Sequence, residues 1–265
     1  MRRLRLFSII FLLASTILFL GFQMYTKVVR VTKPPKVECK TESITVSVKD
    51  PVEKLFEGVT AKDKRTGDVT DTLVIEEMTS FTEEGTRVIT YAAVDASKNV
   101  GRCERTLRYS DYRAPKFSMN QSLCFPIGGS VNIFDVIGAK SSLDGDLSGN
   151  IKYTIEKTIN TMEEGSYPIE FRVMDSAGKM VYLSTDIEIL SREKSAIDVY
   201  LDEYLIYVKK GASFDPDDYY KGAEQDGELT IKSKVDTDEA GTYYVDYIVE
   251  SGAVSGKSRL LVVVQ

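Results

Sequence analysis

The sequence has no histidine, no tryptophan, and only three cysteines and seven prolines in 265 residues. Without histidine there is no imidazole metal ligand, and no nucleophile–histidine or histidine acid/base pair. Three cysteines supply no zinc spacing, and no phosphate-cradling glycine loop stands ahead of a helix. Acidic residues are missing from the front of the chain: none occurs before Glu38. Beyond residue 36 the balance reverses, with 40 acidic against 27 basic residues and a net charge of −13. Such a surface repels phosphate backbones, which argues against nucleic acid as a partner. Paired carboxylates remain, Asp144 with Asp146 and Asp215 with Asp217 and Asp218. A glycosidase needs two carboxyls across a cleft at roughly 5 to 9.5 Å, which small sheets rarely offer. These acids read as turn formers, whose side chains bond neighbouring backbone amides. No enzyme and no cofactor is expected.

What is present begins with an apolar run. Leu6 to Thr26 carries no formal charge. As a helix it reaches about 31 Å at about 1.5 Å per residue, against a hydrocarbon core of about 30 Å. Arg2, Arg3 and Arg5 precede it, as in a signal sequence, but Phe22-Gln-Met-Tyr25 offers no small-residue cleavage site. The run is read as an uncleaved transmembrane anchor. Lys27, Arg30, Lys33 and Lys36 come directly after it, so the local basic count does not set the orientation. The cargo does: it carries no cytoplasmic signature, which implies a short inside tail and an exported C-terminus. Val28 to Lys36 forms a basic stalk ending in the stiff pair Pro34-Pro35.

The remainder is organised by one recurring stretch, Gly85 to Asn99, which returns as Gly165 to Gly178 and as Gly241 to Val249. The copies lie 80 and then 76 positions apart, a domain-sized period. Each opens with a glycine and a small hydroxyl residue, then alternates. Ile89, Tyr91 and Ala93 correspond to Ile169, Phe171 and Val173, and to Val245, Tyr247 and Val249. A period of two puts each set on one buried strand face. The glycine suits a turn of positive φ just before the strand. An early strand carrying Ile44, Val46 and Val48 precedes a phenylalanine step (Phe56, Phe134, Phe214). Glycine–acid turns come next, at Gly67-Asp68, Gly145-Asp146 and Gly227-Glu228. Length alone suggests about two domains, but the repeat argues for three. The boundaries expected are 1–36 for tail, helix and stalk, then 37–110, 111–192 and 193–265. The first junction, around Ala114-Pro115, reads as taut, because proline favours extended geometry. The second, Ser191 to Ser195, has no proline and is expected to be looser.

The Gly-Asp-Val-Thr turn and the Gly-Thr-x-x-Ile-Thr-Tyr-x-x-x-Asp strand resemble the bacterial surface immunoglobulin-like domains of Gram-positive envelope proteins. The resemblance spans about residues 37 to 265 and fades toward the third copy, where Ser251 stands in place of Asp95 and Asp175. It implies an all-β chain of three tandem immunoglobulin-like sandwiches, export, and adhesion or spacing, but neither an active site nor a ligand. In such sandwiches the strands carrying Cys39 and Cys103 usually neighbour each other, so a bridge between them is one expectation. Three unpaired thiols are the other, and Cys124 is expected to stay free. Asp68, Asp71, Asp95 and Asp111 are hard oxygen donors near loops and so are calcium candidates. Turn formation is the alternative reading for all four, and the preferred one. The sequence thus points to a single-pass cell-membrane protein whose extracellular domains meet a protein or glycan. The alternatives are an envelope spacer without a ligand and a glycan-binding accessory segment.

Overall fold

The computed structural model describes residues 2–30 and 33–265, with side chains from 7 to 26 and from 33 onward. Val31 and Thr32 of the stalk, and the side chains of Arg2, Arg3, Arg5, Lys27 and Arg30, lie outside the described residues. One N-terminal helix, α1 (Arg2–Arg30), precedes an otherwise β chain. Its Phe7–Thr26 stretch is long and apolar enough to cross a membrane and is not buried by the rest of the protein. Ser15 and Thr16 turn their hydroxyls back to the carbonyl of Leu12 at 2.9 and 2.8 Å, so they add no unmet polar group to the apolar run.

The packing divides the chain into two compact units, the helix counted with the first. The first comprises Met1–Val46, Asp50–Thr79 and Thr86–Arg108. Its strands are β1 (Lys36–Cys39), β2 (Ser43–Val46), β3 (Val59–Asp63), β4 (Gly67–Asp68), β5 (Val74–Met78), β6 (Thr86–Val94) and β7 (Val100–Tyr109). They form two sheets, ordered β1-β3-β4 and β2-β7-β6-β5. The early strand stops at Val46, so Val48 lies beyond it. Ile89, Tyr91 and Ala93 are fully buried. The Tyr91 hydroxyl donates to the Leu55 carbonyl in the 3-10 turn Val52–Phe56. Arg105, also buried, donates Nε to the Tyr91 oxygen at 3.0 Å and Nη1 to the Glu57 carbonyl at 2.9 Å. A buried cation is thus satisfied by the dipoles of that turn. Cys39 and Cys103 are bridged, with Cα atoms 6.4 Å apart. Their strands are not neighbours in one sheet: β1 pairs with β3, while β7 lies between β2 and β6. The chain changes sheets between β1 and β2, and the bridge therefore ties the two sheets together.

The second unit comprises Ser47–Lys49, Ser80–Gly85 and Tyr109–Gln265. It holds β8 (Lys116–Met119), β9 (Cys124–Pro126), the short helix α2 (Ile133–Val136), β10 (Ile137–Ser141), β11 (Gly145–Asp146), β12 (Lys152–Ile155), β13 (Gly165–Met174) and β14 (Met180–Leu190). Then come β15 (Val199–Leu201), β16 (Leu205–Val208), β17 (Tyr220–Ala223), β18 (Glu228–Ser233), β19 (Gly241–Ser251) and β20 (Val254–Val264). The sheets are β11-β10-β8, β12-β13-β14-β9, β15-β17 and β16-β20-β19-β18. The expected faces are present: Ile169, Phe171, Val173, Val245, Tyr247 and Val249 are all buried.

The opening glycines do different jobs. Gly85 has a φ of 73°, as its turn requires, but Gly165 and Gly241 do not adopt positive φ. A side chain on Gly165 would meet the Tyr167 ring at 3.5 Å, and one on Gly241 the Tyr243 ring at 3.3 Å. Only the second approach is tighter than ordinary van der Waals contact, so at 241, though not at 165, glycine makes room for the tyrosine ring two residues on. The Tyr167 and Tyr243 hydroxyls close the preceding loops, on Asn160 O at 3.1 Å and Glu239 O at 3.2 Å.

The junction Ser191 to Ser195 is not loose. Ser255 N donates to Glu193 O at 2.7 Å, and Ala196 N to Ser255 O at 3.0 Å. The Ser195 hydroxyl also donates to Ser191 O at 2.7 Å. Leu205 and Leu261 join the same core as Phe117 and Phe171, and the Tyr207 hydroxyl accepts from Phe117 N at 2.8 Å. An ion network spans the seam. Glu188 takes Lys257 and Arg259 at 2.5 Å each, and the same two cations reach Asp246 at 2.9 and 2.6 Å. Arg259 also lies 3.9 Å over the Tyr244 ring. Burial alone would raise the Asp246 carboxyl, but the bonds from Arg259 and Lys257 outweigh it and hold the group below its ordinary value.

Candidate interaction surface

The acids singled out in the sequence divide between local turn bonds and contacts with distant segments. Asp68 accepts from Thr70 N at 2.9 Å, and Asp146 repeats this with Ser148 N at 2.9 Å; both are held below the usual carboxylate range by those residues. Asp95 is buried at the β6–β7 hairpin, where Oδ1 accepts from Ser97 N and Asn99 N and Oδ2 from Asn99 Nδ2. The Asn99 side chain leads in keeping that carboxyl ionised. Asp111, in the second unit, accepts from the Ser47 hydroxyl at 2.7 Å and Val48 N at 2.8 Å. Asp71 sits in a 3-10 turn, Thr70–Thr72, with its side chain exposed. Among the described residues no three acidic or cysteine side chains converge as a metal site. Asp215 caps the turn Pro216–Tyr219 through Asp217 N at 3.0 Å, as a turn former does, whereas Asp144 Oδ2 accepts from Ser176 N at 2.9 Å and so bonds a distant hairpin instead of its own turn.

Asp175 keeps only half of the Asp95 arrangement. Its Oδ1 accepts from Ala177 N at 3.0 Å and Lys179 N at 2.9 Å. Lysine here replaces Asn99, and Oδ2 is taken instead by the Tyr112 hydroxyl at 2.6 Å. The Phe81 ring packs on Tyr112 at 4.6 Å, and Phe81 N donates to Ala177 O at 2.9 Å. Burial and the neighbouring Asp175 charge push the Tyr112 hydroxyl far above its ordinary pKa. Cys124, unbridged, is pushed up to about 11 by burial, which keeps its thiol protonated at neutral pH.

The aromatic pairs of the third copy are half-buried. Tyr219 stacks on Phe214 at 5.7 Å, Tyr220 on Tyr247 at 6.4 Å, and Tyr244 lies under Arg259. The exposed chemistry lies elsewhere, on the outward face of β12, β13 and β14. The register places Lys152 opposite Arg172, Arg172 opposite Tyr182, and Met174 opposite Met180. Tyr182 is 56% exposed and Met174 50%. Like charges facing each other across a ladder are destabilising. Among the described residues neither Lys152 nor Arg172 has an ion-pair partner. Glu170, on the same face, stands opposite Thr154 and Ser184.

Two clefts adjoin this face and share Met180. One of about 480 Å³ is lined by Asn150, Lys152, Arg172 and Met174. The other, of about 700 Å³, is lined by Tyr112, Arg113, Lys116, Lys179, Tyr182 and Tyr207, with Glu84 as its one acid. Lys116 Nζ lies 4.4 Å over the Tyr207 ring. Sequence reasoning passed over this surface. Its signal was the set Arg172, Met174, Met180 and Tyr182 at outward positions of the second copy, legible only once the β13–β14 register is known.

Residues 31–109 match the HYR domain, an immunoglobulin-like domain of the extracellular adhesion type. Curated protein sequences give no match. Among solved structures, the CBM51-2 domain in complex with GlcNAc, with INT domains, from Clostridium perfringens ZmpB is 18% identical over 58% of this chain and 41% of that one, with a TM-score of 0.24. The protocadherin gamma B4 extracellular domain is 11% identical over 87% of this chain and 49% of that one, with a TM-score of 0.21. Human CDH23 EC21-23 is 10% identical over 87% of this chain and 100% of that one, with a TM-score of 0.24. This chain spans less than half of the first two, and likeness at such scores carries no argument for function.

Proposed function

We propose that the chain is a bacterial single-pass membrane protein holding three immunoglobulin-like sandwiches, bounded at 110/111 and 192/193, outside the cell. Its work is adhesion or ligand presentation, without catalysis. The observation that carries this reading is the order of parts: an apolar helix of membrane-spanning length, left uncovered by the protein, ahead of a region matching an extracellular adhesion-type domain. Extraction at alkaline pH, with protease added to intact cells, tests it. The protein should stay with membranes, and the part beyond Lys36 should be cut from outside. A soluble form starting near residue 26, or protection from external protease, overturns the anchored reading. An envelope spacer without a ligand is the second reading, favoured by the ion network that joins Glu188 to Lys257 and Arg259.

A further inference from the structure

Five cations line the two clefts that meet at Met180: Lys152, Arg172, Lys179, Lys116 and Arg113. Among the described residues none of the five takes part in an ion pair, although acidic residues outnumber basic ones 40 to 27 beyond residue 36. Cations without ion-pair partners on a net-negative protein, two of them facing each other across strands, repel one another, and an external anion relieves that repulsion. The exposed ring of Tyr182 stands beside Arg172 in the register, with Met174 and Met180 next in line. An exposed ring flanked by thioether side chains offers a flat apolar platform that a pyranose face can cover.

We propose that this face binds an extended anionic polysaccharide, its sugar rings against Tyr182 and its carboxylates on the five cations. Carboxylates suit arginine and lysine at such spacing through charge-assisted hydrogen bonds. Nucleic acid fits less well. With one charge per about 1.7 Å of duplex it meets the surrounding acidic surface at far higher charge density than a polyuronate does. This inference rests on the reading of the chain as an outward-facing, ligand-binding protein. It is tested on purified protein, so its failure and a failure of membrane retention are told apart.

The experiment uses the full chain in detergent micelles. Alginate is the carboxylated probe and dextran the neutral one. Single-stranded DNA, polyglutamate and phosphatidylglycerol vesicles serve as other polyanions. Alginate should bind and dextran should not, with affinity falling as salt rises. The double variant K152E/R172E should weaken alginate binding at least tenfold and Tyr182→Ala at least fivefold, with unchanged melting temperatures. Arg172→Gln should give an intermediate loss should the charge reversals disturb folding. Any DNA, polyglutamate or vesicle binding should be weaker than that of alginate and indifferent to Tyr182→Ala. Alginate bound no better than dextran, binding untouched by the variants, or any other polyanion bound as tightly as alginate overturns the proposal.

Discussion

The Tyr112 hydroxyl donates to Asp175 Oδ2 at 2.6 Å, in the place that the Asn99 amide occupies on Asp95. One substitution within the repeat, asparagine to lysine at 179, leaves a carboxylate oxygen open, and a tyrosine from outside the hairpin takes it. Tyr112→Phe removes one hydrogen bond to a charged acceptor and should cost about 1.5 to 3 kcal/mol in urea unfolding. A loss near zero would show that water replaces the contact.

Phe171 is fully buried, tilted against Phe117 at 6.4 Å and edge-on to Tyr153 at 6.4 Å. Phe171→Ala should cost about 3 to 5 kcal/mol. Unlike Tyr91 and Tyr247, which bond Leu55 O and Pro216 O, it has no hydroxyl partner to lose, so the loss measures packing alone. A change under about 1 kcal/mol contradicts its place in the core.

The Cys39–Cys103 bridge closes a separation of 64 residues. On the chain-entropy model it stabilises by about 4 kcal/mol. Reduction should lower the melting temperature of the first unit, and a C39A/C103A variant should melt like the reduced protein whether or not reductant is present. Identical melting with and without reductant in the unaltered chain would contradict the bridge.

Asp246 loses water by burial but gains Arg259 and Lys257, and its folded-state pKa lies below the ordinary value of 3.8. Its contribution is therefore present above the unfolded pKa and is lost as pH falls through the lower, folded value. At neutral pH, Asp246→Asn should cost about 3 to 5 kcal/mol, because it leaves buried cations underpaired. The gap between variant and parent should narrow as acid protonates the parent. A gap constant down to strong acid would show that Asp246 is not ionised in the fold.

The oxygens of Asp95 already accept three hydrogen bonds from their own hairpin. Millimolar calcium should accordingly shift melting no more than millimolar magnesium. A calcium-only rise abolished by Asp95→Ala would overturn this and make Asp95 a ligand.

The buried faces of β6, β13 and β19 were legible in the sequence because alternation and recurrence fix them together. Gly85 was legible as a positive-φ turn; Gly165 and Gly241 were not, since the same letter there sits outside the positive-φ region, and at 241 it serves a ring two residues on. The absence of proline from 191 to 195 read as slackness, yet Glu193 O and the Ser195 hydroxyl tie the segment down, through contacts that proline content does not foretell. Glu188, Asp246, Lys257 and Arg259 lie on three strands, and only tertiary packing shows that their charges meet. The exposed row Lys152, Arg172 and Tyr182 likewise depends on register, which no single segment encodes.

The parallel pairing of β16 with β20 has a mechanical consequence. Leu205 to Val208 runs alongside Leu261 to Val264 in the same direction. Tension transmitted along the chain enters this pair at the start of one strand and leaves at the end of the other. The hydrogen bonds between them are then loaded in shear, all at once, whereas a hairpin pulled from its open end would unzip one bond at a time. The same geometry recurs where Cys124 to Pro126 lies parallel to Glu188 to Leu190. Each of these pairs is a clamp whose rupture force is set by its whole length, so a single proline within β16 should lower the force needed far more than it lowers resistance to heat.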